Sequence, residues 1–262
     1  MIENKFKYIY GPVYSWRLGM SLGIDPLTTQ KKICNYDCIY CQLGRTTEFY
    51  TERENFVRVE DILAEIGTLP PGRIDYYTFS GRGEPTLAKN LGAMIAAVRE
   101  KTNGKIAVIT NAALIDQKEV QDDLMLADIV LVKLDACDDE SLSVVDIPAP
   151  GLRFRNMVEG IKAFRERYAG RLALQIMFIE ENKKYAQAIA GVAREIGADE
   201  IQINTPLRPG GSPLDEKELL RIKEHFKGLP ALTVYEVERH TVEPFDDRAT
   251  ILRHGNFRKK TR

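Results

Sequence analysis

Residues 128–135 read DIVLVKLD, a short run that is apolar on both faces and bounded by charge. Such a strand needs cover above and below, which a parallel sheet between helices provides. Similar β-branched or aromatic runs recur at Ile74–Ser80, Lys105–Thr110, Arg171–Ile179 and Glu200–Thr205, with Ser21–Asp25 as an earlier first strand. Between them, segments near 58–67, 88–102, 117–126, 155–168 and 183–196 place apolar residues at three- and four-residue spacing, as helices with one buried stripe do. This rhythm predicts an α/β fold, either an open doubly wound sheet or, better suited to six units, a partial (βα)6 TIM-like barrel with parallel strands. The expected division is a barrel over 1–212 and a short C-terminal extension, 213–262, packed on it. That extension holds a charged helix (Leu214–Phe226), a strand-like run (Leu232–Val237) and a basic tail ending RHGNFRKKTR.

In either architecture ligands gather at the carboxyl ends of the strands. Those ends read SGRGEPT, TNAAL, KLDAC, FIEEN and NTPLRPG, which suits loops lining a polar site. The chain carries 37 basic and 38 acidic residues, so no global field draws it to nucleic acid or an anionic membrane. Its longest apolar stretches are too short to span a bilayer and its start has no signal-peptide core, so a cytoplasmic protein is expected.

Three of the four cysteines fall in CNYDCIYC, which places Cys34, Cys38 and Cys41 at CX3CX2C spacing. A reducing cytosol disfavours disulfides and leaves a soft metal centre wrapped by one short loop. Zinc is the competitor, but a closed zinc site wants four ligands. No second CxxC exists, the histidines at 225, 240 and 254 are all terminal, and only Cys137 remains as a further sulfur. Three cysteines around a cubane cluster leave one iron open to a cofactor.

At this spacing the loop resembles the motif of the radical S-adenosylmethionine (SAM) superfamily. The likeness extends to Tyr40, where that family sets a ring against adenine, and to Gly83-Glu84-Pro85, similar to a glycine-glycine-glutamate motif that holds the cofactor's amino group. Arg82 replaces the first glycine of that motif. ITNAAL and VKLDA resemble tips that meet the ribose and carboxylate, which implies Asn111 as a ribose contact and Lys133 as a carboxylate partner. A buried Lys133–Asp135 ion pair is the alternative for that lysine. With Asp135 and Asn204 these residues make up the cofactor-binding set that the resemblance implies, around a [4Fe-4S] cluster and S-adenosyl-L-methionine.

YGPVYSWRLGMSLGIDP, CNYDCIYCQLGRTTE and IQINTPLRPG further resemble compact iron–sulfur oxidoreductases related to wyosine synthetase, which acts on transfer RNA. That enzyme's second cluster uses three cysteines ahead of the motif, and here none precedes Cys34. The resemblance implies a 5′-deoxyadenosyl radical that abstracts hydrogen from a tRNA base or small metabolite, with flavodoxin or ferredoxin as electron donor. The rivals are an activase of a glycyl-radical protein and a non-catalytic iron–sulfur carrier or sensor. Cys137 is read either as a small apolar filler or as a catalytic hydrogen-atom donor. Trp16 and Arg17 form a packed cap or a substrate-stacking pair. Arg208 is either exposed or holds a substrate carboxylate or phosphate in its planar fork.

Overall fold

The computed structural model describes residues 5–208, 210–238 and 240–254. Eight strands form one sheet in chain order: β1 (Ile9–Ser15), β2 (Gly19–Ile24), β3 (Tyr76–Phe79), β4 (Lys105–Thr110), β5 (Ile129–Lys133), β6 (Arg171–Met177), β7 (Glu200–Asn204) and β8 (Ala231–Thr233). Neighbours from β2 to β8 are all parallel, and β1 alone runs antiparallel, to β2. The strand order never reverses, so the doubly wound alternative is set aside and β2–β7 form the partial TIM-like barrel. The helices are α1 (Val59–Ile66), α2 (Leu91–Thr102), α3 (Lys118–Leu124), α4 (Asp139–Val145), α5 (Phe154–Arg167), α6 (Ala186–Ile196), α7 (Glu216–Glu224) and α8 (Asp247–His254). None among the described residues is long and apolar enough to cross a membrane.

Two cores follow from the period-2 alternation of the strands. Ile106, Val108, Val130, Val132, Leu172 and Leu174 face outward into a large core shared with the helices. Ala107, Ile129, Leu131 and Ala173 face inward, where Leu18 from the β1–β2 turn packs on them and fills the lower lumen. Each fully buried aliphatic chain of this kind contributes about 1.5–3 kcal/mol.

Four elements depart from the expected pattern. β1 (IYGPVYS) is interrupted by Gly11-Pro12, a pair that reads as a loop; at the sheet edge the missing proline N–H is tolerated. α4 is short and polar, held by a capping box between Asp138 and Ser141. α8 lies in the expected tail and packs against β1. There Phe245 N–H donates to Gly11 O (2.6 Å) and Gly11 N–H donates to Thr250 Oγ1 (2.9 Å). The strand expected over 232–237 stops at Thr233, because the Glu236 carboxylate accepts Thr233 N–H (2.7 Å) and folds the chain into a turn. The last eight residues of the basic tail, 255–262, lie outside the described residues.

Candidate cluster and cofactor site

The cysteine loop follows β2 and is tied to the carboxyl ends of the strands by backbone bonds. Ile33 N–H donates to Arg82 O (3.0 Å) and Glu84 N–H returns to Ile33 O (2.9 Å), which pins the loop to the segment after β3. Beyond it, Asp37 N–H reaches Asp146 O (2.9 Å), and Ile39 N–H reaches Val145 O (3.0 Å) at the end of α4. Arg45 pairs with the buried Asp37 carboxylate (2.6 Å), which also accepts Thr46 N–H (2.6 Å), so the chain leaving Cys41 is anchored as well. Cys34 is buried and Cys38 and Cys41 are half-buried. Burial pushes the Cys34 thiol up to about 12 and the Cys38 thiol well above its ordinary value, and neighbouring thiols and carboxylates add to both shifts. Such thiols become thiolates only when a cationic centre arrives to stabilise them.

Three thiols on one loop are a donor set that suits a cubane cluster, which takes one thiolate at each of three irons. Among the described residues no three His, Cys, Asp or Glu side chains converge closely enough to chelate one metal ion. Zinc, bonding sulfur at about 2.3 Å, needs its thiolates nearly in contact, whereas a cubane spreads them over three corners. Donors to sulfur are already in place: Tyr36 N–H faces Cys34, and Asn111 Nδ2 lies 3.9 Å from its Sγ. The fourth cysteine, Cys137, is elsewhere, with its thiol 3.6 Å from Ser141 Oγ at the start of α4. Burial raises that thiol too.

The GRGEPT segment owes its course to two close approaches. Gly81 (φ +153°) and Gly83 (φ +154°) adopt backbone that side chains disfavour, and a Cβ on Gly83 would sit 1.6 Å from Ile33 O. A Cβ on Gly81 would meet the Asp25 carboxyl at 2.4 Å. Arg82 between them turns outward to Gln30 O (3.1 Å), so a large side chain replaces glycine there without touching the site. Glu84, 2% exposed, points inward. Its oxygens accept Thr86 N–H (3.0 Å), the Thr86 hydroxyl (2.7 Å), the Thr110 hydroxyl (2.5 Å) and Asn111 N–H (2.7 Å). Burial raises its pKa while these bonds oppose the shift. Pro85 opens a buried helical turn behind it.

Across the lumen, Lys133 and Asp135 form the buried ion pair (2.9 Å), with the carboxylate fully enclosed. Asp135 also accepts Met177 N–H (2.6 Å) and the Tyr40 hydroxyl, and that hydroxyl is 3.2 Å from Asp146 Oδ1. The Lys133 ammonium lies 5.0 Å from the Tyr40 ring centroid. Asp146 joins the site without any signal in the sequence; burial, then the charge of Asp135, raises its pKa, and its carboxyl also bonds Cys38. Asn111 donates to Asn35 Oδ1 (2.6 Å) and accepts Ala113 N–H (3.0 Å), so its carboxamide braces the cysteine loop. Asn204 Oδ1 accepts the next residue's N–H (3.0 Å).

Arg208 is not a solvated arginine. It donates to Gln42 Oε1 (3.1 Å), beside the last cysteine, and to His254 Nε2 (2.5 Å) at the end of α8. Gly210 and Gly211 press this loop onto Cys41 and Tyr40, where a Cβ on Gly210 would lie 2.9 Å from Cys41 O. Arg17 stacks on Trp16, its guanidinium 5.4 Å from the ring centroid.

The family model of the Radical SAM superfamily matches residues 31–193, the span from the cysteine loop to α6. This chain belongs to that superfamily. It is 36% identical over 213 residues to a UPF0026 protein of Synechocystis sp., covering 79% of this chain and 78% of that one. A radical SAM methyltransferase from Sphaerobacter thermophilus shares the fold at a TM-score of 0.61 and 16% identity, over 81% of this chain and 65% of that one. TYW1 solved with a lysine–pyruvate adduct matches at a TM-score of 0.60 and 16% identity, over 80% of this chain and 74% of its own. The fold is thus shared alike with TYW1 and with the methyltransferase. The protein is a radical SAM enzyme.

Proposed function

We propose that this radical SAM enzyme holds a [4Fe-4S] cluster on Cys34, Cys38 and Cys41, cleaves S-adenosylmethionine reductively, and abstracts hydrogen from a substrate in the barrel lumen. The observation that carries this reading is the anchored loop of three thiols at the strand ends, with Cys137 bonded elsewhere and so no fourth sulfur in the loop. When bound there, cluster and cofactor supply a 5′-deoxyadenosyl radical, chemistry the side chains cannot provide.

The chain's own part is to hold and orient. Glu84 is fully engaged by four donors, so main-chain carbonyls of the glycine segment serve the cofactor's ammonium, and Glu84 fixes their course. Tyr40, locked at its hydroxyl by Asp135 and Asp146, offers a ring of fixed orientation for adenine. Lys133 has three N–H donors, and those not bonded to Asp135 can meet the carboxylate. Leu18 closes the lower lumen, which keeps water from the reacting atoms. An external one-electron donor such as flavodoxin or ferredoxin completes the system, and the substrate is a small metabolite or a tRNA base.

Anaerobic reconstitution with iron and sulfide, followed by dithionite and S-adenosylmethionine, tests this by scoring 5′-deoxyadenosine. Formation in the wild type and none above background in Cys38→Ala is the expected result. A four-iron spectrum that S-adenosylmethionine does not perturb would overturn the reading in favour of an iron–sulfur carrier.

A further inference from the structure

The carboxamides of Asn35 and Asn111 lock one another beside the first cysteine. Asn111 follows β4, and its backbone is fixed by the bond from its N–H to Glu84 Oε2 (2.7 Å). Its Oδ1 accepts Ala113 N–H (3.0 Å), which settles which end of the carboxamide is oxygen and which is NH2. That NH2 group reaches two partners in the cysteine loop, Asn35 Oδ1 (2.6 Å) and Cys34 Sγ (3.9 Å). Both of its hydrogens are thereby committed, and only the second lone pair of Oδ1 is left for a ribose hydroxyl.

The same bond orients Asn35. Its oxygen must face Asn111, because an NH2 group turned there would meet another NH2 group, so its own Nδ2 takes the remaining side of the carboxamide. Asn35 is fully buried, and among the described residues its Nδ2 has no hydrogen-bond partner. The backbone around it is clamped from both directions: Asn35 O accepts Ala149 N–H (2.8 Å), and Cys34 O accepts Tyr50 N–H (3.0 Å). Buried donors are paired as a rule, and one orphaned next to a cysteine of the loop points to an acceptor that the protein itself does not supply. The sulfur of an iron–sulfur cluster is such an acceptor, and N–H bonds to it favour the reduced, more negatively charged state.

We propose that Asn35 and Asn111 are a donor pair for the cluster sulfur at Cys34 and that they raise the cluster's reduction potential. Asn111 acts by direct contact with Sγ; Asn35 is its positioning residue and adds its own unpaired amide hydrogens. The assignment rests on the [4Fe-4S] reading above, and it names the groups that set the potential at which an electron enters. The partners are 76 residues apart, one in the cysteine loop and one at the tip of β4, so the pair forms only when the loop is docked on the strand ends.

The test is a redox titration of the reconstituted protein without S-adenosylmethionine, read from the visible absorbance and from the electron paramagnetic resonance of the reduced cluster. Asn35→Ala removes the acceptor that holds Asn111 together with the orphan donor, whereas Asn35→Asp keeps the acceptor, removes the donor and adds a negative charge. Each should make reduction about tenfold less favourable or more, a shift of about 59 mV to more negative potential for a one-electron couple, at unchanged iron and sulfide content. Asn90→Ala is the control for a merely structural loss: Asn90 is also a buried asparagine with an unpaired atom, but it bonds Val57 O (2.9 Å) ahead of α2, and its midpoint should match the wild type's. A midpoint that stays at the wild-type value in both Asn35 variants, or that moves equally in Asn90→Ala, overturns the proposal. Should the Asn35 variants fail to hold the cluster, wild-type protein carrying 15N in its asparagine side chains decides instead. Pulsed paramagnetic resonance of the reduced cluster should then show a side-chain 15N coupling, and its absence overturns the pair. A potential that moves in a protein that makes no 5′-deoxyadenosine keeps the pair and loses the radical reading; 5′-deoxyadenosine formed with an unmoved potential loses the pair alone.

Discussion

Two buried carboxylates stand near the mouth of the barrel, and the fold meets their charge in different ways. On the sulfur side, Glu84 is served by neutral donors from Thr86, Thr110 and Asn111, at most 27 residues away in sequence. At the seam, Asp25 follows β2 and pairs with the equally buried Arg253 (2.8 Å), 228 residues away on α8. Neutral donors thus leave Glu84 itself without a cationic partner among the described residues. The seam answers charge with charge by contrast, and Arg253 places further donors on Ala249 O and Lys7 O. The two arrangements meet at Asp25, whose Oδ1 also accepts Arg82 N–H (3.3 Å) from the glycine segment. The C-terminal helix thereby braces the loop proposed to hold the cofactor.

The sharpest way to break this contrast is Arg253→Met. It leaves the Asp25 carboxyl buried and without its cation, and should cost about 3–5 kcal/mol in denaturant unfolding. Arg253→Met combined with Asp25→Asn should recover most of that loss. A single-variant loss under about 1 kcal/mol would show that the seam is held by apolar packing of α8 on β1 rather than by charge.

Glu84→Gln should be milder, about 1–3 kcal/mol, since the amide keeps one acceptor oxygen but turns an NH2 group toward hydroxyls and N–H groups. The hydroxyls of Thr86 and Thr110 can rotate to accept; the N–H of Asn111 cannot. If Glu84→Gln proves costlier than Arg253→Met, the sulfur side depends on its carboxylate charge and the contrast reverses. Both are read from the same unfolding curve, so the comparison needs no assumption about absolute stability.

The same difference in sequence separation explains which features the amino-acid order makes legible. The cysteine loop, the glycine segment, the βα rhythm and the Lys133–Asp135 pair are each local, so spacing within a few residues exposes them. Strand pattern likewise reveals the parallel sheet, because β4 and β5 are apolar on both faces. β1 is hidden behind Gly11-Pro12, and α8 behind a charged, weakly periodic run that reads as a frayed end. Asp25–Arg253 and Arg208–His254 are long-range pairs in a chain with many arginines and aspartates, and nothing local singles them out. Asp146 ends a short helix, and only the fold carries it to Tyr40 and Cys38. Gln175 and Gln202 sit in strands that otherwise read as buried, and their polarity is the one local sign that the lumen interior differs from the outer core.

The smallest effect concerns His254, and it tests whether the imidazole beside Arg208 stays neutral in the fold. Burial and the neighbouring Arg208 and Arg17 hold its folded pKa well below the ordinary value. The unfolded chain, with a histidine pKa near 6.5, therefore binds the proton more readily. Stability from the neutral ring is complete above about pH 6.5 and falls as the pH drops through that value, at up to about 1.4 kcal/mol per pH unit. His254→Gln keeps a hydrogen-bonding side chain beside Arg208 and removes the titration, so its stability should fall less steeply than the wild type's between about pH 6.5 and 5. Equal slopes would mean that the imidazole is not held neutral.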